Sequence, residues 1–275
     1  MPKSSASRFV LVHALLVPAA LALAATFARE SGLDRAATDF FFDAARGRFP
    51  AHDWTWLELL GHRIAKSAAW AVWLALLAAA VASLRIDRLA AYRGVLWTTA
   101  IAMAAGPLIV VGLKSINAHP CPWDLKEYGG FADDAAAWFV PAAQAGRCFP
   151  SGHAAGGFSF LALYFAGFAA HDRRLRHAGL AIALAAGFVF SAVRVAQGAH
   201  FVSHNLWSAA VVWCSAALVF APLVFAQERR RGARITARGG EPNGGPSSLA
   251  PAAVTEGQGR FAPPARAGGS RGHAR

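Results

Sequence analysis

The longest apolar runs of this chain match the thickness of a bilayer, and that limits its fold more than any other feature. A membrane-spanning helix needs roughly 17 to 25 mostly apolar residues. Such runs extend from Phe9 to Phe27, about Ile64 to Leu84, Gly94 to Leu113, His153 to Ala170, Ala178 to Gln197 and about His204 to Gln227. Inside lipid, backbone N–H and C=O groups must pair within the chain, so runs of this length read as helices. Charged residues make up 15% of the sequence, against roughly 25% in soluble domains. The expected fold is all-α, an integral membrane bundle of about six transmembrane helices.

Basic residues orient the bundle. Lys3 and Arg8 precede the first run; Arg85, Arg88 and Arg93 fall between the second and third. Arg173, Arg174 and Arg176 fall between the fourth and fifth, and Arg229, Arg230 and Arg231 follow the sixth. With six spans all of these lie on one side, which places both termini in the cytoplasm. The net charge of +12 therefore reads as topology signals and membrane-surface contacts. No basic patch interleaved with exposed aromatics points to nucleic acid. The first run, with Ala22-Leu23-Ala24 near its end, also resembles a secretory signal peptide.

The chain divides into a cytoplasmic N-terminus (1–8), N-terminal spans with an outer amphipathic segment (9–89), a domain over 90–226 and a tail (227–275). Phe40, Phe41, Phe42, Trp54 and Trp56 suit a helix lying at the interface. The tail is rich in Gly, Pro, Ala, Ser and Arg and is expected to be disordered and basic. High Ala, Arg and Gly with little Lys suits a GC-rich bacterial source.

Three polar clusters fall at outer ends of the spans: Lys114 with Cys121-Pro122-Trp123-Asp124, then Pro150-Ser151-Gly152-His153, then Arg194, His200 and His204. Cations at the edge of apolar helices are functional or snorkelling. Lys114 and Arg194 together suit a dianion, Arg by its two-pronged fork and Lys as a point charge. Ser151-Gly152 opens a helix whose free N–H groups favour an anion, although Ser151 also reads as a plain cap. Histidines supply a nucleophile or base and an acid for phosphoryl transfer. Cys214 lies within an apolar run and reads as a core residue.

The three clusters resemble the motifs of the type 2 phosphatidic acid phosphatase (PAP2) family, which shares its site with vanadium haloperoxidases. That pattern is Lys-x6-Arg-Pro, Pro-Ser-Gly-His and Ser-Arg-x5-His-x3-Asp. Here Lys114-x6 leads to Cys121-Pro122, Pro150 to His153 match in full, and Arg194-x5-His200-x3-His204 matches in spacing. The resemblance covers roughly residues 90 to 226 and points to the membrane-bound lipid phosphatase branch. It implies His200 as the nucleophile that becomes a phosphohistidine and His153 as the acid for the leaving group. Lys114, Arg194, Ser151 and Gly152 would hold the phosphoryl oxygens. It implies no metal and no cofactor.

Three positions depart from the pattern. Cys121 replaces an arginine, for which Arg147 is a substitute in the same loop. Val193 replaces a serine. His204 replaces the aspartate that would orient His200; a neutral His204 can accept an N–H but brings no negative charge, and Asp124, Asp133 or Asp134 could supply one. Loss of the equivalent carboxylate costs serine proteases about 10⁴ in rate, an upper guide here. Cys121 and Cys148 bracket this loop. A disulfide between them would close about 28 residues and stabilise by roughly 3 to 4 kcal/mol on the chain-entropy model; two free buried thiols are the alternative.

The reading that follows is a phosphatase for a lipid phosphate or pyrophosphate, in a bacterial inner membrane with its site facing the periplasm. Lipid phosphotransfer through the same site, haloperoxidase chemistry and a non-catalytic protein with a decayed site are the alternatives. Substrate lipid and bilayer are the expected partners; nucleic acid is not.

Overall fold

A computed structural model describes residues 5–59, 65–134, 137–141, 144 and 146–239. Ile64, where the second run was expected to begin, Lys3, and residues 240–275 of the tail lie outside the described residues. The described chain is helical and has no β-strand. Isolated bridges pair Asp43 with Arg48, Asn117 with Trp138 and Leu125 with Ala132.

The principal helices are α1 (Ser5–Glu30), α2 (Leu33–Phe41), α3 (Ala65–Ala82), α4 (Arg93–Lys114), α5 (Gly152–Phe158), α6 (Leu161–Ala169), α7 (Arg173–Ala196) and α8 (Val202–Gly239). Four of them, α1, α4, α7 and α8, are long and apolar enough to cross a membrane. The second expected span is the shorter apolar helix α3. The fourth is broken in two at Ser159 and Phe160, where the Ser159 hydroxyl donates to Gly156 O at 2.7 Å. Such back-bonding from serine competes with the helical ladder.

The chain compacts into two units, Met1–Ala233 and Arg234–Arg275. In the second, the residues through Gly239 are helical. Helix α8 thus runs past residue 227, where the disordered tail was expected to begin.

Small residues let the helices of the first unit approach closely. A Cβ built on Gly157 of α5 would lie 2.7 Å from Ala186 O of α7. Large side chains fill the remaining space: Phe165 of α6 and Phe220 of α8 are fully buried, stacked with centroids 5.9 Å apart. Helix α1 joins the same core. Phe9 meets Phe165 and Phe168, and Glu228 accepts from the N–H groups of Ser5 and Ala6.

A second, smaller apolar cluster of Phe49, Leu125, Tyr128 and Phe201 sits under the loops that join the helices. Phe42 packs against it, whereas Phe40, Trp54 and Trp56 stay exposed. The segment expected to lie at the interface is therefore partly folded inward. Helix α2 fastens these loops together. Asp34 accepts from Ser203 N at 2.8 Å and Ser203 Oγ at 2.5 Å. Asp39 accepts from Tyr128 Oη at 2.7 Å, and Arg35 pairs with Glu127 and Asp134.

Candidate functional site

Each of the three polar clusters is delivered by the end of a helix, and the helices bring the ends together. Lys114 is the last residue of α4. A Cβ on Gly152, the first residue of α5, would lie 3.7 Å from Lys114 Nζ, so the amine sits at the start of the Ser-Gly-His helix. Ser151 is fully buried, and its Oγ caps that helix by accepting from Ala154 N at 3.3 Å. The structure thus shows the capping role for its hydroxyl. Ser151 N donates to His204 O at 3.2 Å. The Ser208 hydroxyl shares its proton between Ser151 O, 2.8 Å, and His204 O, 2.9 Å. These bonds tie the start of α5 to the first turns of α8.

Arg194 lies in the last turn of α7. Its Nη1 donates to Gln197 Oε1 at 2.8 Å, and its guanidinium carbon stands 5.5 Å from the centre of the Trp123 ring. Stacking and a side-chain amide hold the planar fork in one orientation. The chain then turns at Gly198, whose φ of 70° suits glycine. Ala199 N and His200 N both donate back to Arg194 O. This tight turn is the physical content of the five-residue spacing between Arg194 and His200.

His200 is 3% exposed. Its ring centre is 6.3 Å from that of His153 and 6.0 Å from that of His204. Burial holds its pKa well below the ordinary 6.5, and the nearby His204, Lys114, Arg194 and His153 push the same way. A neutral imidazole follows, with a lone pair available.

Cys121 and Cys148 form a disulfide with Cα atoms 5.3 Å apart, so the free-thiol alternative does not describe this structure. Cys148 Sγ lies 3.4 Å from His200 Nδ1. No hydrogen bond joins His200 to His204, whose buried Nδ1 has no partner among the described residues. The neighbour at His200 Nδ1 is the disulfide sulfur.

Two residues singled out in the sequence lie in the loops that flank this cluster. Asp124 sits in a turn of 3₁₀ helix, Pro122–Asp124, and is not among the charges that act on His200. Burial raises its carboxyl above the usual range. Arg147 is exposed, with φ of 55°, and is likewise absent from those charges.

Other residues carry the geometry without having been anticipated. Asn117 is fully buried; its amide donates to Leu113 O and Phe149 O, both at 2.7 Å, and its carbonyl accepts from His119 N at 3.1 Å. It thereby joins the end of α4 to the loop before Ser151. Gln197, three residues beyond Arg194 and so on the same helical face, could have been found from that spacing. Asp34 could not, because 169 residues separate it from Ser203. A cavity of about 280 Å³ opens on the far side of this region, lined by Arg29, Asp34, Arg35, His119, Ser203 and His204 among others. Lys114, His153 and Arg194 do not line it, so it meets the histidine cluster only through His204.

No curated protein and no solved structure matches this chain. A sequence model of the PAP2 superfamily matches residues 95–227, a span that begins in α4, ends in α8 and contains all three clusters. With the histidines, Lys114 and Arg194 gathered at the ends of these helices, the chain belongs to the PAP2 superfamily.

Proposed function

We propose that this protein is a membrane phosphatase for lipid phosphates or pyrophosphates, working through a phosphohistidine on His200. One observation carries the reading: two cations, Lys114 and Arg194, and two histidines, His153 and His200, converge where the helices end. Superfamily membership supports it, because its members act in general on phosphoric esters.

The chemistry follows from the positions. Lys114 and Arg194 neutralise a phosphoryl dianion. The Nδ1 of His200 faces the disulfide sulfur, which leaves Nε2 as the attacking nitrogen. His153 donates a proton to the leaving oxygen, then accepts one from the water that hydrolyses the phosphohistidine. The chain's own residues suffice for every step.

The substrate would be a lipid with its phosphate at the outer face. In this reading α3 and the α5–α6 pair complete six spans with the four long helices. The basic residues then place both termini in the cytoplasm and the site at the periplasmic side of a bacterial inner membrane. Arg147 would meet the substrate at the rim of the site, and Asp124 would shape the loop rather than orient His200.

The test is phosphate release by the full chain in detergent, with EDTA present, from phosphatidic acid and undecaprenyl pyrophosphate. Release by the parent and none by His200→Ala is expected. Equal release by folded His200→Ala would remove the phosphohistidine from the mechanism.

A further inference from the structure

Cys148 stands between two sets of partners. One is Cys121, to which it is bonded. The other is a pair of imidazoles: Cys148 Sγ is 3.4 Å from His200 Nδ1, and one ligating atom from each of Cys148, His200 and His204 lies within 4.8 Å of the other two. All three residues are buried, at 0%, 3% and 4% exposure. His204 Nδ1 is itself buried and has no hydrogen-bond partner among the described residues. An imidazole in that state lacks something to bind.

One sulfur and two imidazole nitrogens shielded from water form a donor set for zinc, which favours thiolate and neutral histidine. Tetrahedral zinc holds such ligands about 3.4 to 3.6 Å from one another. The Cys148–His200 separation already has that value, and His204 needs about an ångström of side-chain movement. The bonded sulfur of a disulfide carries no negative charge and is a poor ligand.

We propose that opening the Cys121–Cys148 disulfide turns Cys148, His200 and His204 into a zinc site. A dithiol reductant supplies two electrons and two protons. The S–S bond breaks, an S–H forms on each cysteine, and the reductant closes its own disulfide. Cys148 then loses its proton to solvent as the thiolate bonds zinc. His200 and His204 bind through neutral ring nitrogens, and water completes the coordination. A further consequence rests on the phosphatase reading: zinc on Nδ1 draws electron density from the His200 ring and silences Nε2 as a nucleophile.

The experiment is equilibrium dialysis of the full-length protein in detergent against zinc, with Cys121→Ser as the central variant, because it leaves Cys148 a thiol without added reductant. Cys121→Ser should take up one zinc more than the oxidised parent. Cobalt in place of zinc should give a thiolate charge-transfer band. Adding Cys148→Ser or His204→Ala to that variant should weaken uptake at least 100-fold. The parent reduced with a non-coordinating phosphine should match Cys121→Ser, so misfolding of the variant does not spare the proposal. Equal uptake by oxidised and reduced parent, or uptake that survives Cys148→Ser, would overturn it. Phosphate release with and without zinc is read on the same samples. If no sample releases phosphate, the phosphatase reading fails while dialysis still decides the metal site.

Discussion

The two sides of His200 are built on different terms. On one side stand Lys114, Ser151, Gly152, His153 and Arg194, all matching the superfamily's motifs, with Arg194 fixed by Gln197 and Trp123. On the other stand the Cys121–Cys148 disulfide and His204, where those motifs carry an arginine and an aspartate. The first side offers charge, the second almost none. Neutralising a phosphoryl group needs cations within reach, and nothing uncharged replaces them. Orienting an imidazole needs only one fixed contact on its other nitrogen, and a sulfur 3.4 Å away is such a contact, though a weak one. The charged side is therefore the more demanding of the two.

The largest effect should come from that side. In the proposed enzyme, Lys114→Ala should lower kcat/KM for phosphate release on the order of 10²- to 10³-fold, comparable to loss of one oxyanion donor. Arg147→Ala, at the exposed rim, should change it much less. Equal losses for both would erase the distinction between the built cradle and its rim.

Next comes the clamp that aligns the two halves. Asn117→Ala leaves the carbonyl of Phe149 without its donor and Leu113 O with only the Ile116 N–H. Orphaned buried groups of this kind cost about 1 to 3 kcal/mol each, and partial access of water to replace the amide brings the expected loss to about 2 kcal/mol. Thermal or denaturant unfolding in detergent would show it. An unchanged midpoint would mean that Asn117 is not part of what holds the two halves together.

A smaller effect would sharpen the comparison from the weak side. His204→Asp restores the carboxylate of the family pattern at its own position. If the sulfur contact is an inferior orienting group, kcat should rise about tenfold, or roughly 1.4 kcal/mol in barrier. His204→Asn, without the charge, should bring no such gain. A fall in kcat for His204→Asp would show that the disulfide side has its own geometry, in which an aspartate no longer reaches His200.

Much of this arrangement was legible in the sequence because it repeats at fixed spacing. Apolar runs of bilayer length gave α1, α4, α7 and α8, and the intervals from Lys114 to Pro122 and from Arg194 to His204 brought out the cluster. The break at Ser159 was not legible, since Leu161 to Ala169 is as apolar as the helix before it and a serine hydroxyl bonds to the carbonyl three residues back in unbroken α8 as well. Nor was the disulfide contact at His200 Nδ1. Composition and spacing showed His204 four residues from His200 and suggested that neighbour. The loop closed by Cys121 and Cys148 brings sulfur there from 52 residues away, and such placement is set by three-dimensional closure of the loop rather than by any local pattern. Asp34 on Ser203 belongs to the same class.

The smallest effect concerns His119, which anchors the loop between the two sides. It stacks on Phe149 with centroids 4.7 Å apart and meets Asn117 Oδ1 through Nδ1 at 3.0 Å. Burial lowers its pKa from the ordinary 6.5, Arg29 lowers it further, and Asp134 opposes them. The unfolded chain then binds more protons than the folded one below pH 6.5, so its contribution to stability is complete above that value and is lost as the pH falls through the folded pKa. The loss sets in below pH 6.5, where the unfolded imidazole takes up its proton first. Unfolding midpoints in detergent near pH 7.5 and 5.5 would measure it against His119→Gln, which keeps a polar group beside Asn117 but does not titrate. The variant should lose less stability on acidification than the parent. Identical losses would assign the acid sensitivity to another histidine, with His200 the first to examine because its pKa is lowered in the same direction.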